Sequence, residues 1–167
     1  MNKAPWYQPY MDWARLTKQE YDVVQGEGTM ESLRRFRWVA CLMVPLHFAM
    51  ALLLDAYQAP AEHPELQVWA GIVGRAHWTA AALVSVCGVA AHYCLRQARA
   101  SAAAITLQIL VSIAYIYLGA YLSIADLVAN AGAGLSSFML ICIMFGVLSL
   151  MRPAISVPLF LGTYLVF

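Results

Sequence analysis

Charged residues are scarce in this sequence, and their scarcity decides the class of protein. Asp, Glu, Lys and Arg make up 11% of its 167 residues, whereas a soluble domain carries roughly a quarter. The net charge of +1 implies no general attraction to nucleic acid. Catalytic motifs are lacking as well. There is no glycine-rich phosphate loop, no nucleophile elbow and no HExxH, so we assign no catalytic residue.

Cysteine is also sparse, and its placement argues against the usual cysteine sites. The sequence has no CxxC pair, the spacing on which zinc and redox sites depend. The four cysteines lie in apolar segments or at their ends: Cys41, Cys87, Cys94 and Cys142. We therefore predict that they are small apolar core residues rather than a disulfide or zinc site.

Long apolar runs are abundant instead, since 62% of the residues are hydrophobic and the mean hydropathy is +0.67. A helix needs about 20 apolar residues to cross a hydrocarbon core of about 30 Å. Such runs cover about 36–57, 68–95, 101–125, 133–151 and 153–167. The sequence predicts an all-α, polytopic helical membrane bundle with five visible spans. The fifth run has only about 15 residues, so we expect a longer fifth span and a sixth beyond Phe167.

The connections between these runs alternate in charge. Lys or Arg occurs in 1–37, in 96–100 and at Arg152, whereas 58–67 and 126–132 contain neither. By the positive-inside rule, the basic connections and the N-terminus are predicted to be cytoplasmic, in a bacterial inner membrane. The domain prediction is a cytoplasmic helical arm over 1–35, followed by the transmembrane bundle over 36–167.

The arm carries helix signals and basic residues. Thr17 and Glu20 have capping-box spacing, which predicts a helix start. Gly26 and Gly28 are predicted to break that helix, since glycine destabilises it by about 1 kcal/mol. A second helix is expected from Thr29 into the first span. Three arginines should then lie at the lipid headgroups and bind anionic lipid, at about 1 kcal/mol each: Arg34, Arg35 and Arg37.

Two of the runs have polar or small residues at helical spacing. In the second run these residues are His77, Ala81, Ser85, Gly88 and His92. The spacing favours a helix–helix packing face. In the third run they are Gln108, Ser112, Tyr115, Gly119, Ser123 and Asp126. A polar stripe of this length must face protein or a water-filled cavity. It is either a hydrogen-bonded seam between helices or one wall of a ligand pocket open to the outside.

Arg75 is the basic residue that stands inside an apolar run. A charge facing lipid is costly, so three arrangements are open. The side chain extends to the outer headgroups, or it pairs with Asp55 or Asp126, or it holds an anionic ligand.

The polar residues of the outer half form a candidate site for a small-molecule signal. Its predicted lining residues are His47, Arg75, His77, Gln108, Tyr115 and Asp126. An alternative is that His47 and His77, at similar depth on neighbouring spans, ligate a b-type haem or a metal ion. Hydrogen-bonded packing histidines are the third possibility.

Several stretches together resemble the N-terminal membrane region of bacterial diguanylate cyclases, the GGDEF family. They are 16–25, 32–38, 90–96, 107–110 and 149–153. The resemblance implies about six spans ahead of a cytoplasmic catalytic domain, and a homodimer in which the membrane region senses a signal and sets the pairing of the two catalytic domains. The GGDEF motif does not occur in this sequence, so no catalytic role passes to any of its residues.

Three functions follow as hypotheses. The first is a homodimeric sensory input module that controls formation of cyclic-di-GMP. The second is a membrane haem protein for redox or gas sensing, with His47 and His77 as axial ligands. The third is a small transporter or channel subunit whose path is lined by the stripe of the third run.

Overall fold

The structure is a computed structural model of the chain. The residues that it describes are 17–97, 99–129, 139, 141–143, 146, 149–150, 156–158 and 161–162. These residues form helices and their connections, without a strand. Three helices are long and apolar enough to cross a membrane, which indicates a membrane protein. They are α1 (Lys18–Asp55), α2 (Pro64–Cys94) and α3 (Ala102–Val128).

The three helices correspond to the first three predicted spans. The fourth and fifth, at 133–151 and 153–167, fall largely outside the described residues. Within them the described positions 139, 141–143 and 146, and then 156–158 and 161–162, are helical. The all-α prediction is thus confirmed over the described residues, and three spans rather than five are supported by helix length and composition.

Helix α1 begins at the predicted capping box. The Thr17 hydroxyl accepts from the Glu20 amide, and the Glu20 carboxylate accepts from the Thr17 amide at 2.8 Å. From there α1 runs for 38 residues, or about 57 Å at 1.5 Å per residue. The arm (from Lys18 to position 35) and the first span are therefore one helix, and residues 1–16 of the arm prediction lie outside the described residues.

The predicted break at Gly26 and Gly28, with a new helix from Thr29, was wrong. Both glycines lie where another segment approaches α1. A Cβ on Gly28 would lie 3.5 Å from the Leu150 carbonyl oxygen, and one on Gly26 would lie 3.6 Å from the Ala100 Cβ. Both distances are ordinary van der Waals contacts, so these segments pack against α1 at its glycines, and α1 stays helical despite a cost of about 1 kcal/mol per glycine.

Small residues also hold α2 against α1. Ala51 and Ala70 are fully buried, and a Cβ on Gly88 would lie 3.2 Å from the Ala40 Cβ. Lipid tails are as apolar as the helices, so close backbone approach and dispersion drive this contact. Helix α3 follows a short connection and is capped by Ser101, whose hydroxyl accepts from the Ala104 amide at 3.2 Å.

The two ends of the bundle differ in charge. At the arginine end, basic residues from α1 and from the α2–α3 connection line one polar depression: Lys18, Arg34, Arg37 and Arg99. At the carboxylate end, Asp55 and Asp126 lie close to α2, where they accept hydrogen bonds from its Trp78 and Trp69. This separation of charge agrees with the alternation of the connections along the chain.

Candidate functional site

A cavity of about 390 Å³ lies between α1, α2 and α3, and we call it the axial cavity. Its wall is mostly apolar, with a few neutral polar side chains. Along α1 its lining extends from Ser32 to Met50, a helical rise of about 27 Å. The lining residues are Ser32, Leu33, Phe36, Met43, Leu46, His47, Met50, His77, Gln108, Val111, Ser112, Tyr115, Leu118, Leu122, Ile141 and Ser149.

Two histidines from different helices meet at this cavity. His47 of α1 is 5% exposed, and its Nδ1 lies 2.9 Å from the Nδ1 of His77 on α2. In the neutral pair one Nδ1 must carry the proton and donate, and the other must accept. The accepting ring then carries its proton on Nε2. His47 Nε2 is buried and has no hydrogen-bond partner among the described residues.

The histidine pair does not fit haem as it stands. Metal–imidazole bonds of about 2.0–2.1 Å place two trans nitrogens roughly 4 Å apart, whereas the facing nitrogens of His47 and His77 are 2.9 Å apart and bond to each other. Among the described residues no group of three or more His, Cys, Asp or Glu side chains could hold a metal ion. We therefore derive no chemistry through an iron or metal centre here.

Gln108 forms a polar junction near the arginine end of the cavity. Its Nε2 donates to the Ser32 hydroxyl at 3.1 Å and to the Ser149 hydroxyl at 3.4 Å. The Ser32 hydroxyl in turn donates to the Gly28 carbonyl and accepts from the Leu150 amide, both at 2.8 Å. Ser32 thus links α1, α3 and the 149–150 segment.

Tyr115 of α3 stands between the histidines and this junction in the lining. Its ring packs edge-on against Phe36, with centroids 6.4 Å apart. The hydroxyl is buried and lacks a hydrogen-bond partner among the described residues. Tyr115 and His47 thus both line the axial cavity and each has one buried polar atom without a partner among the described residues, a state that costs about 1–3 kcal/mol.

The six predicted site residues do not form one site. His47, His77, Gln108 and Tyr115 line the axial cavity. Arg75 instead lines a second cavity, of about 380 Å³, on the outside of α2 and α3. Asp126 is buried and lines neither of these two cavities.

Of the three arrangements left open for Arg75, the ion pair with Asp55 or Asp126 does not occur in the structure. Asp55 accepts a hydrogen bond from the Trp78 indole at 2.8 Å, and Asp126 accepts one from the Trp69 indole at 2.9 Å. Neither carboxylate lies within 4 Å of the Arg75 guanidinium, the limit for an ion pair. The tryptophans hold these carboxylates at the carboxylate end of the bundle.

The predicted headgroup arginines have partners within α1. Arg34 and Arg35 both pair with Glu31, which lies three and four residues before them on an exposed surface. The Arg37 guanidinium lies over the Trp38 ring, 5.4 Å from its centroid. Pairs exposed to solvent in this way contribute little to stability because water and salt screen them. Contact of these three arginines with anionic lipid stays a prediction.

Both patterned helix faces pack as expected, with one exception each. On α2, His77, Ala81 and Gly88 face neighbouring helices, while His92 is exposed. On α3 the stripe is buried except for Tyr115, which is half-buried. The stripe is a seam at Gly119 and at Asp126, and a cavity wall from Gln108 to Tyr115. That this cavity is a ligand pocket open to the outside stays a prediction.

Sequence reasoning missed Ser32 and the two tryptophans that bind the aspartates. The helical spacing of the sequence could have indicated Ser32. It lies four residues before Phe36 and eight before Ala40, and all three share one buried face of α1. The hydrogen bonds of the tryptophans were harder to predict from the sequence. Trp69 and Asp126 lie near the same end of the bundle, but they are 57 positions apart in the chain.

Comparison of the chain with protein-family models, with curated proteins and with solved structures found no match. The resemblance to the membrane regions of diguanylate cyclases therefore rests on the quoted stretches alone and stays a prediction.

Proposed function

We propose that this chain is the membrane-embedded sensory module of a signalling protein, and that its signal is a small, largely apolar molecule bound in the axial cavity. The molecule would carry hydrogen-bonding groups that satisfy His47 Nε2 and the Tyr115 hydroxyl. Apolar cavities with a few convergent polar groups are typical of ligand sites. The support for ligand binding is that two residues lining this cavity each have a buried polar atom without a partner among the described residues.

The observation that carries the signalling part of the proposal is the continuity of α1. The same helix lines the cavity at His47, reaches the Ser32 junction and continues to Lys18. Helix α1 stays continuous through Pro45, which lies between the arm and His47, so we expect rotation or translation at His47 to reach the arm. A ligand shifts that arrangement only by as much as it binds one arrangement better than another.

The wider proposal places the chain in a bacterial inner membrane, with the arginine end cytoplasmic, as a homodimer. The output is cyclic-di-GMP formation by a diguanylate cyclase domain. Its support is the alternation of basic and non-basic connections, the separated charge at the two ends of the bundle, and the resemblance of the sequence to that family.

A matched pair of substitutions on α3 tests the proposal. Val111 is buried and lines the axial cavity, whereas its neighbour Leu110 is 55% exposed. Val111→Phe should fill the cavity and displace a co-purifying ligand, while Leu110→Phe should retain it. Native mass spectrometry of the purified chain measures this. A ligand retained equally by both variants contradicts the cavity as its site.

The output is tested with the chain placed ahead of a diguanylate cyclase domain, in cells that lack other such enzymes. Val111→Phe should change the cyclic-di-GMP level at least several-fold, in either direction, and Leu110→Phe should leave it unchanged. A fluorophore at position 23, where the valine is 56% exposed, should report a change at the arm in the same variant. An unchanged arm and unchanged output in Val111→Phe would remove the signalling role.

A further inference from the structure

Arg75 has no carboxylate partner within the part of the chain that the structure describes. Eight of the nine Asp and Glu residues belong to that part, since only Asp12 lies outside it. The ion pairs among these residues involve Glu31 and Glu65 but not Arg75. Arg75 is exposed on the outside of an apolar helix, and its charge is permanent. No counter-charge for Arg75 lies among the described residues.

The side chain stands at one end of an apolar groove between α2 and α3, which we call the Arg75 groove. Its volume is about 380 Å³. Its polar residues include Arg75, Thr79, Tyr117 and Tyr121, and Leu83, Val84 and Ala114 belong to its apolar lining. Tyr117 and Tyr121 are 63% and 46% exposed and are four residues apart, on one face of α3.

The polar and apolar parts of the groove are ordered along the helix. A Cβ on Gly71 would lie 3.6 Å from an Arg75 guanidinium nitrogen, so the guanidinium turns back towards the start of α2. Gly71 is about 10 Å of helical rise from Pro64. The apolar lining continues in the other direction to Val84, about 20 Å beyond Gly71. A charged end nearer the helix start and an apolar end deeper in the bundle match the order of head and tail in a membrane lipid.

We propose that the Arg75 groove binds an anionic amphiphile, with its carboxylate or phosphate head against Arg75 and one alkyl chain along α2 and α3. Charge complementarity selects this occupant, because an unpaired cation on a lipid-facing surface is costly and an anion relieves that cost. The hydroxyls of Tyr117 and Tyr121 offer further donors to the head. Tyr115 and Leu118 line both the groove and the axial cavity, so the two sites share a wall. The proposal stands independently of the sensory function.

The test uses the chain in nanodiscs of neutral phosphatidylcholine, with the thermal midpoint followed by tryptophan fluorescence. Oleate and phosphatidylglycerol supply the two head chemistries on alkyl chains. At least one of them should raise the midpoint, and the better one identifies the head. Methyl oleate, which lacks the charge, and inorganic phosphate, which lacks the chain, should each have no effect.

Two substitutions locate the effect. Arg75→Gln should weaken binding of the active amphiphile at least tenfold, since it removes a charged hydrogen bond. Ala114→Phe should weaken it while leaving Arg75 intact, because it fills the apolar part of the groove. Leu110→Phe, one turn away and facing lipid, is the control and should bind as the natural chain does.

The proposal is overturned if neither oleate nor phosphatidylglycerol raises the midpoint, or if methyl oleate or inorganic phosphate acts as strongly. It is also overturned if Arg75→Gln binds the active amphiphile as tightly as the natural chain, or if Ala114→Phe does so.

Discussion

The axial cavity and the Arg75 groove have nearly the same volume, about 390 and 380 Å³, and share two lining residues, yet they differ in kind. The polar groups of the axial cavity are neutral and bond largely to one another, as in the His47–His77 pair and at Gln108. The groove carries a permanent charge, Arg75, on the outside of the bundle. Neutral polar groups between helices can satisfy one another's hydrogen bonds. A charge without an ion-pair partner is less costly on the outside of the bundle, where an anion from another molecule can contact it.

The largest expected effect comes from adding bulk where no cavity exists. A Cβ on Gly119 would already lie 3.1 Å from the Ile141 side chain. Gly119→Leu should therefore lower the free energy of unfolding by about 3 kcal/mol, the upper part of the range for overpacking. Ala114→Leu, on the same helix but facing the Arg75 groove, should change it by less than about 0.5 kcal/mol. Reversible unfolding in detergent measures both.

Equal losses of unfolding free energy in these two variants would contradict the claim that α3 is closely packed at Gly119 and open to the groove at Ala114. A loss larger in Ala114→Leu would show that the groove is closed by a neighbouring segment.

A smaller effect is expected at the Ser32 junction. Ser32→Ala removes the acceptor of Gln108 Nε2 and of the Leu150 amide. Leaving buried donors unsatisfied costs about 1–3 kcal/mol, so we expect a loss of about 2 kcal/mol. Ser85→Ala is the matched control, because the Ser85 hydroxyl donates only to the Ala81 carbonyl of its own helix. Its loss should stay below about 0.5 kcal/mol; a Ser32 variant equal to this control would refute the junction.

The smallest effect belongs to the start of α1, which is fully exposed. Hydrogen bonds from the Thr17 hydroxyl and then the Thr17 backbone amide hold the pKa of Glu20 below its ordinary value of 4.5. Because the folded pKa is the lower one, the stabilisation is present above pH 4.5 and is lost as the pH falls through the folded pKa. Helicity of the arm, followed by hydrogen exchange near Thr17, should decrease over that range.

Glu20→Gln should remove this pH dependence and leave the helix beyond Arg34 unchanged. A pH dependence that persists in Glu20→Gln would show that another group causes it.

Sequence patterns predicted the buried faces better than the site. The period of the α3 stripe from Gln108 to Asp126 identified its buried face, because helical spacing decides which side chains share a face. The similar depth of His47 and His77 likewise anticipated their contact. Depth in the membrane could not show that Arg75 lies on a different side of α2 from His77. At any one depth, a helix has one face towards the bundle and another towards lipid.

Gly26 and Gly28 show the second limit of sequence reasoning. Intrinsic propensity predicts a break, but tertiary contacts with Ala100 and Leu150 decide the outcome. Such contacts join residues more than 70 positions apart and leave no local signal. The same holds for Asp126, whose partner Trp69 is 57 positions away.

We propose above all that α3 crosses the bilayer with its polar stripe buried in the bundle and its Tyr117–Tyr121 face towards lipid. Spin labels placed singly along α3, in a background without native cysteines, test it through their accessibility to oxygen in liposomes. We expect the accessibility of the labels to oxygen to vary with the period of a helix. It should be lowest at 108, 112, 119 and 123 and highest at 110, 117, 121 and 124. Uniform accessibility along α3, or maxima on the stripe, would contradict it.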